Sequence, residues 1–213
     1  MIKYLVRKGF NMVGLDVHRC QPSAPAIPAD FPLDFEPEYV DIIKRCRPYT
    51  MTTNESLYQL ILCTKYIAEN EIPGDFVECG VWRGGSILAM IEALKLAGDS
   101  GRRFHLFDTF SSADMFETNE PTDEDQPFGS TLEEMMNGIQ KSGFDLSVEL
   151  AGVRGTIAAT GYASDKIMFH VGRTEDTIGS APIEAIGLLR LDTDWYDSTR
   201  DQLERLFDKV QPG

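Results

Sequence analysis

Apolar residues in this chain follow two patterns. Some recur every three to four positions and predict helices; others form short unbroken runs and predict buried strands. After Pro48, the residues Leu57, Leu60, Ile61, Ile67 and Ala68 keep helical spacing until Pro73-Gly74 ends the stretch. Thr52 with Glu55 matches a capping box at its start. The run 76–79 predicts a first strand, and after a glycine-rich turn "SILAMIEALKLAG" predicts an apolar-rich helix stopped by Gly98. "RFHLFDTF" predicts a second strand ending at Asp108, "KIMFHVG" a third, and "IGLLRLD" a fourth ending at Asp192. Shorter helices are predicted over 38–46, 131–143 and 153–160. The final helix, "DSTRDQLERLFDKV", carries Leu203, Leu206, Phe207 and Val210 on one side.

This alternation of strand and helix predicts an α/β fold, a parallel sheet with helices on both faces. Ligands of such sheets sit beyond the carboxyl ends of the strands, where the strand order reverses. The residues with the most chemistry fall there: Glu78 to Gly85 after strand one, Asp108 after strand two, Asp192 after strand four.

Two tracts lack either pattern. Residues 21–37 hold Pro22, Pro25, Pro28, Pro32 and Pro37 and predict an extended strap. Residues 111–130 carry Asp114, Glu117, Glu120, Asp123, Glu124 and Asp125 with no base among them, which predicts a mobile acidic loop. The expected division is an extension and strap over 1–48 and one domain over 49–213.

Charge narrows the partners. Thirty-four acids against 20 bases leave a net charge of −14, which repels phosphate backbones and anionic lipid and argues against nucleic acid; simple solubility accounts for it equally well. The basic, partly apolar N-terminus has no cleavage-site pattern and no spanning length, so neither a signal peptide nor a membrane helix is expected. The cysteines, Cys20, Cys46, Cys63 and Cys79, form no CxxC pair; Cys63 and Cys79 lie in apolar segments and are expected as buried thiols in a reducing, cytoplasmic setting. His105 and His170 fall within strands and are expected as core or strand-end residues rather than ligands.

The turn Gly80-Val81-Trp82-Arg83-Gly84-Gly85 is neither GxGxxG nor a phosphate-binding GK[ST] loop, which excludes the usual dinucleotide and nucleotide cradles. Its glycines allow a backbone to approach a ligand, or simply a tight strand-to-helix turn. A carboxylate at Glu78 suits an ammonium, and one at Asp108 suits ribose hydroxyls. Together these describe S-adenosylmethionine. Asp192 and Asp194 would share one side of an extended backbone, and two such neighbours call for a cation or a proton between them. Magnesium is one solution. The other is that Asp194 caps the following helix, with Asp197 in its first turn.

In order, "IPGDFVECGVWRGGS", "LFDTF", "VGRTEDTI" and "LLRLDTDWYDSTRDQLERL" resemble the macrocin O-methyltransferase family, from about Thr50 to Gly213. The resemblance implies a Rossmann-like, class I methyltransferase that uses S-adenosylmethionine and magnesium on hydroxyls of natural-product sugars. It implies that Glu78 and the turn 80–86, with Gly80, Gly84, Gly85 and Ser86, hold the amino-acid end of the donor. Asp108, with Thr109 beside it, would take the ribose, and the stretch Arg173 to Asp176 would lie near the adenine. Met51 and Thr52 would belong to a segment closing over the cofactor. Asp192 would be a magnesium ligand and Asp194 the general base. The family continues through a PGG turn to a strand ending in an Asp-Asp pair; this sequence ends at Gln211-Pro212-Gly213, before that pair and the last strands. Two functions are carried forward. One is an O-methyltransferase acting on a hydroxyl of a sugar or glycoside. The other is a decayed or shortened methyltransferase fold that serves as a cofactor-binding or scaffold protein. The expected partner is a small-molecule hydroxyl acceptor; homo-oligomerisation stays open.

Overall fold

The computed structural model describes residues 31–111 and 146–213, together with the helical residues Gly138 and Lys141. The strap up to residue 30, the acidic run 114–125 and nearly all of the expected helix over 131–143 lie outside the described residues. The chain divides into two units, Met1–Pro37 and Glu38–Gly213. In the first, Phe31 and Phe35 meet edge to face, their ring centroids 6.3 Å apart. The second carries the sheet.

Strands β1 (Asp75–Cys79), β2 (Phe104–Asp108), β3 (Ile167–Val171) and β4 (Ile186–Leu191) pair in parallel in the order β3-β2-β1-β4. Around them lie α1 (Pro37–Cys46), α2 (Asn54–Glu69), α3 (Gly85–Leu96), α4 (Leu150–Ala158), the single turn α5 (Thr174–Thr177) and α6 (Tyr196–Leu206). Side chains alternate across the sheet. Phe76, Phe104, Leu106 and Leu188 join Ile87, Met90, Ile91 and Leu94 of α3 and Val153 and Ile157 of α4 on one face. Val77, Cys79 and Phe107 join Ile178, Ile183 and Leu206 on the other. Both faces are covered, which is why these strands appear in the sequence as continuous apolar runs. Between Asp75 and Phe76 the pairing with β4 shifts by one residue, so Gly187 is the extra residue of a bulge. Beyond α6, Val210 bridges in parallel to Ile186, and Gln211 N–H donates to the Ile186 carbonyl at 2.9 Å, so the outer edge of β4 is not bare at its start.

Several helix details differ from expectation. The cap of α2 is Thr53, whose Oγ1 accepts from Ser56 N–H at 3.2 Å; Thr52 is left free for other work. Helix α2 buries Leu57, Ile61, Thr64 and Ile67, and Cys63 falls on the opposite side and is exposed rather than buried. Cys79 and Cys46 are buried. Helix α3 ends as expected, with Gly98 at φ +75° and Asp99 N–H closing back on the Leu94 carbonyl. Helix α6 corrects the sequence most clearly. Its inner face is Ser198, Gln202 and Leu206, while Leu203 and Phe207 are exposed. The reason is polar docking: Ser198 Oγ donates to Glu175 Oε1 at 2.5 Å, and Gln202 Nε2 donates to Thr174 Oγ1 at 2.9 Å.

The strand histidines form a chain with Asp75 in which Asp75 and His105 are buried and His170 is half-buried. His105 Nε2 lies 3.1 Å from Asp75 Oδ2, and His105 Nδ1 lies 3.0 Å from His170 Nε2. Asp75 accepts only, so His105 carries its proton on Nε2 and His170 donates to its Nδ1. Arg103 also pairs with Asp75 at 3.0 Å, and His170 stacks on Phe107 with centroids 4.2 Å apart. Burial, and then the neighbouring His105, push His170 down to about 4; burial lowers His105 as well, against the pull of Asp75. Neutral histidines in the fold and ordinary ones in the unfolded chain mean the unfolded state binds more protons between these values. Stability is therefore full above roughly pH 6.5 and is lost as pH falls toward about 4. Urea denaturation across this window should show a shallower pH slope in His170→Gln than in the parent chain; equal slopes would contradict it.

Candidate active site

A cavity of about 360 Å³ opens at the carboxyl ends of the strands, where the order turns between β1 and β4, a size that suits a small molecule. Met51, Thr52, Glu78, Gly80, Ser86, Asp108, Thr109, Arg173, Asp192 and Asp194 all line it. Gly84, Gly85 and Asp176 do not.

Glu78 is the last buried acid of β1, with its side chain 1% exposed. Arg190 of β4 is its partner in strand register. Arg190 Nη1 donates to Glu78 Oε1 at 2.5 Å, while Nη2 donates to Thr52 Oγ1 at 3.0 Å and to Asp192 Oδ2 at 2.8 Å. Burial dominates and raises the Glu78 carboxyl to about 8, against the pull of the Arg190 guanidinium and with a smaller upward push from Asp192. Contact with a guanidinium that never loses its proton favours the ionised carboxylate. Glu78 Oε2 is different: it is buried with no hydrogen-bond partner among the described residues. An unmet buried acceptor is costly, and it marks where a donor from outside the chain belongs.

Asp108 has a second task besides facing the cavity. Its Oδ2 accepts from Val81 and Trp82 N–H at 2.7 and 2.8 Å, and its Oδ1 from Phe110 N–H at 2.7 Å. It thereby staples the turn after β1 to the turn after β2. Trp82 is held at φ +47°, a conformation uncommon outside glycine. Its indole N–H donates to the Leu146 carbonyl at 3.1 Å, and the Arg83 guanidinium covers its ring at 4.6 Å. The glycines serve chain packing. A Cβ on Gly80, at φ +86°, would run into the Asp192 carbonyl, and one on Gly85 would lie 2.6 Å from Thr50 Cβ. Gly84, at φ +85°, caps α3. Gly80 and Gly84 thus serve the tight turn and Gly85 makes room for the Thr50 segment, while Gly80 also lines the cavity.

Asp194 does not cap a helix. The cap position of α6 is Trp195, without a side-chain cap. The Asp194 carboxylate sits on the cavity rim, open to solvent, and has no hydrogen-bond partner among the described residues. Its carboxyl is held above the ordinary aspartate range, by partial burial first and then by the charges of Asp192 and Asp108; its exposure limits how far. Arg190 and Trp195 are members of the site that the sequence did not single out. An arginine inside the apolar run "LLRLD" was the available signal, because a charge buried in a strand needs a partner.

Residues 43–213 match the family described as Macrocin-O-methyltransferase (TylF). The chain belongs to the macrocin O-methyltransferase family. Among relatives of this macrocin O-methyltransferase family chain is the 8-demethyl-8-(2,3-dimethoxy-alpha-L-rhamnosyl)-tetracenomycin-C 4'-O-methyltransferase of Streptomyces olivaceus, 33% identical over 78% of this chain and 59% of that protein. The Mycinamicin III 3''-O-methyltransferase of Micromonospora griseorubida is 30% identical over 78% of this chain and 62% of its own length. The chain thus spans about three fifths of these relatives, 59% and 62%. The solved O-methyltransferase NovP superposes with a TM-score of 0.60 at 28% identity, covering 78% of this chain and 64% of NovP. The sheet is therefore that of class I methyltransferases. Among the described residues no helix is long and apolar enough to cross a membrane.

Two groups implied by the family can be tested against these residues. Unmet Glu78 Oε2, a buried acceptor among the residues that line the cavity, fits an ammonium such as that of S-adenosylmethionine. For magnesium, the described residues offer Asp192, whose Oδ2 is engaged by Arg190, and no three His, Cys, Asp or Glu side chains gather as ligands among them.

Proposed function

We propose that this chain carries the donor-binding and proton-accepting part of an S-adenosylmethionine-dependent O-methyltransferase whose acceptor is a sugar hydroxyl of a natural-product glycoside. The observation that supports it best is the unpartnered, buried Glu78 Oε2 on the wall of the cavity that Asp194 also lines. When bound, the donor supplies a sulfonium-activated methyl group. Glu78 accepts from the donor's ammonium while Arg190 holds its other oxygen in place. Asp108 spends three acceptor positions on backbone N–H groups, so of the roughly four a carboxylate offers, one remains for a ribose hydroxyl. Thr52, tied to Arg190, places the segment around Met51 at the cavity mouth. Asp194 has a free carboxylate of raised proton affinity, which suits it to take the proton from an acceptor hydroxyl. The glycoside acceptor follows the relatives, of which the Streptomyces olivaceus protein is named for a rhamnosyl compound. No step is routed through magnesium. Calorimetric titration of the chain with S-adenosylhomocysteine should show one-to-one binding, unchanged by added magnesium; no heat of binding would overturn the donor assignment.

A further inference from the structure

The chain has two tryptophans, Trp82 and Trp195, and both line the one cavity that holds Glu78 and Asp194. They differ in what the protein has already asked of them. Trp82 is committed: its indole N–H is bonded to Leu146, and one face of its ring is covered by Arg83. Trp195 is not. Its indole N–H has no partner among the described residues, and no ring or cation stacks on it there. It is only partly buried. It also occupies the cap position of α6, where Ser, Thr, Asp or Asn would accept a backbone N–H and tryptophan cannot. An uncommitted indole thus stands in a place that gives up a helix cap, one residue after the candidate base.

Resting on the methyltransfer reading above, we propose that Trp195 is the platform for the acceptor, receiving the C–H face of a pyranose ring so that a ring hydroxyl lies toward Asp194. The chemistry matches the ring on both counts. An indole face carries partial negative charge, and the C–H bonds of one pyranose face carry partial positive charge. The free indole N–H adds a donor for a ring or hydroxyl oxygen. A 6-deoxy sugar, with a methyl where a hexose carries a hydroxymethyl group, offers more apolar area than a fully hydroxylated one. Trp195 therefore selects for glycosides at this site, whereas Glu78 selects the donor.

The test uses the full 213-residue chain, its Trp195→Ala and Trp195→Phe variants, and two probes, S-adenosylhomocysteine and methyl α-L-rhamnopyranoside. Tryptophan emission of the parent chain should change as the glycoside is added, and Trp195→Phe, which keeps only Trp82, should lose that change. Ligand-observed NMR should show the glycoside bound about ten-fold more weakly by Trp195→Ala than by the parent and nearly as well by Trp195→Phe, whose ring still stacks. Equal binding by Trp195→Ala, or no glycoside binding by the parent chain, overturns the platform. Failure of S-adenosylhomocysteine to bind, with the glycoside response intact and lost in Trp195→Ala, leaves the platform standing and removes the methyltransfer reading instead.

Discussion

Glu78→Gln is expected to weaken S-adenosylhomocysteine binding by about 10–100-fold, and to lower the thermal midpoint as well. The first effect follows from losing a charge-assisted hydrogen bond to an ammonium, worth about 1.5–3 kcal/mol. The second follows from Arg190. Removing one member of a buried ion pair costs about 3–5 kcal/mol when the other is left alone. Arg190 keeps Asp192 and Thr52, so a loss nearer to about 2 kcal/mol, or roughly 4–8 °C, is expected. Calorimetry and thermal melting separate the two. A lowered midpoint with unchanged donor affinity would leave Glu78 as a structural partner of Arg190 and nothing more.

Asp194→Asn should act the opposite way on stability and still destroy turnover. Its carboxyl is raised in the fold, so the ionised form is less favoured there than in the unfolded chain. Near neutral pH its charge therefore costs stability, and the amide should raise the midpoint. Donor binding should persist, because the buried Glu78 Oε2 assigned to the donor's ammonium is left intact. Methyl transfer from labelled S-adenosylmethionine to a glycoside should fall by about 10²–10⁴-fold, the usual contribution of a positioned base. The parent's acid limb should lie above the ordinary aspartate range, since the base must be ionised to work, and it should vanish in the variant. Comparable turnover in the two forms would remove Asp194 from the role.

The sheet was legible because its strands are apolar on both faces and end in glycine, aspartate or a turn. The acids were legible because they stand at those ends. What the sequence hid was pairing across the sheet. Arg190 looks like an oddity in "LLRLD" until β1 is laid beside β4. Asp108 looks like a pure ligand residue until the two turns fold onto its oxygens. The inner face of α6 was misjudged because apolar spacing was taken as the guide, whereas Ser198 and Gln202 dock through hydrogen bonds to Thr174 and Glu175. Thr53 takes the cap position that spacing assigned to Thr52, because Thr52 is engaged with Arg190.

The bulge at Gly187 carries its effect to the far end of β4. Counted from the Asp75–Ile186 pair without it, Glu78 would meet Leu189; with it, Glu78 meets Arg190. Side chains alternate, so that single added residue also decides which half of the strand's atoms face the helices α2 and α3. A glycine with no chemistry of its own, at the end of the sheet remote from any ligand, thus chooses the counter-ion of the buried acid.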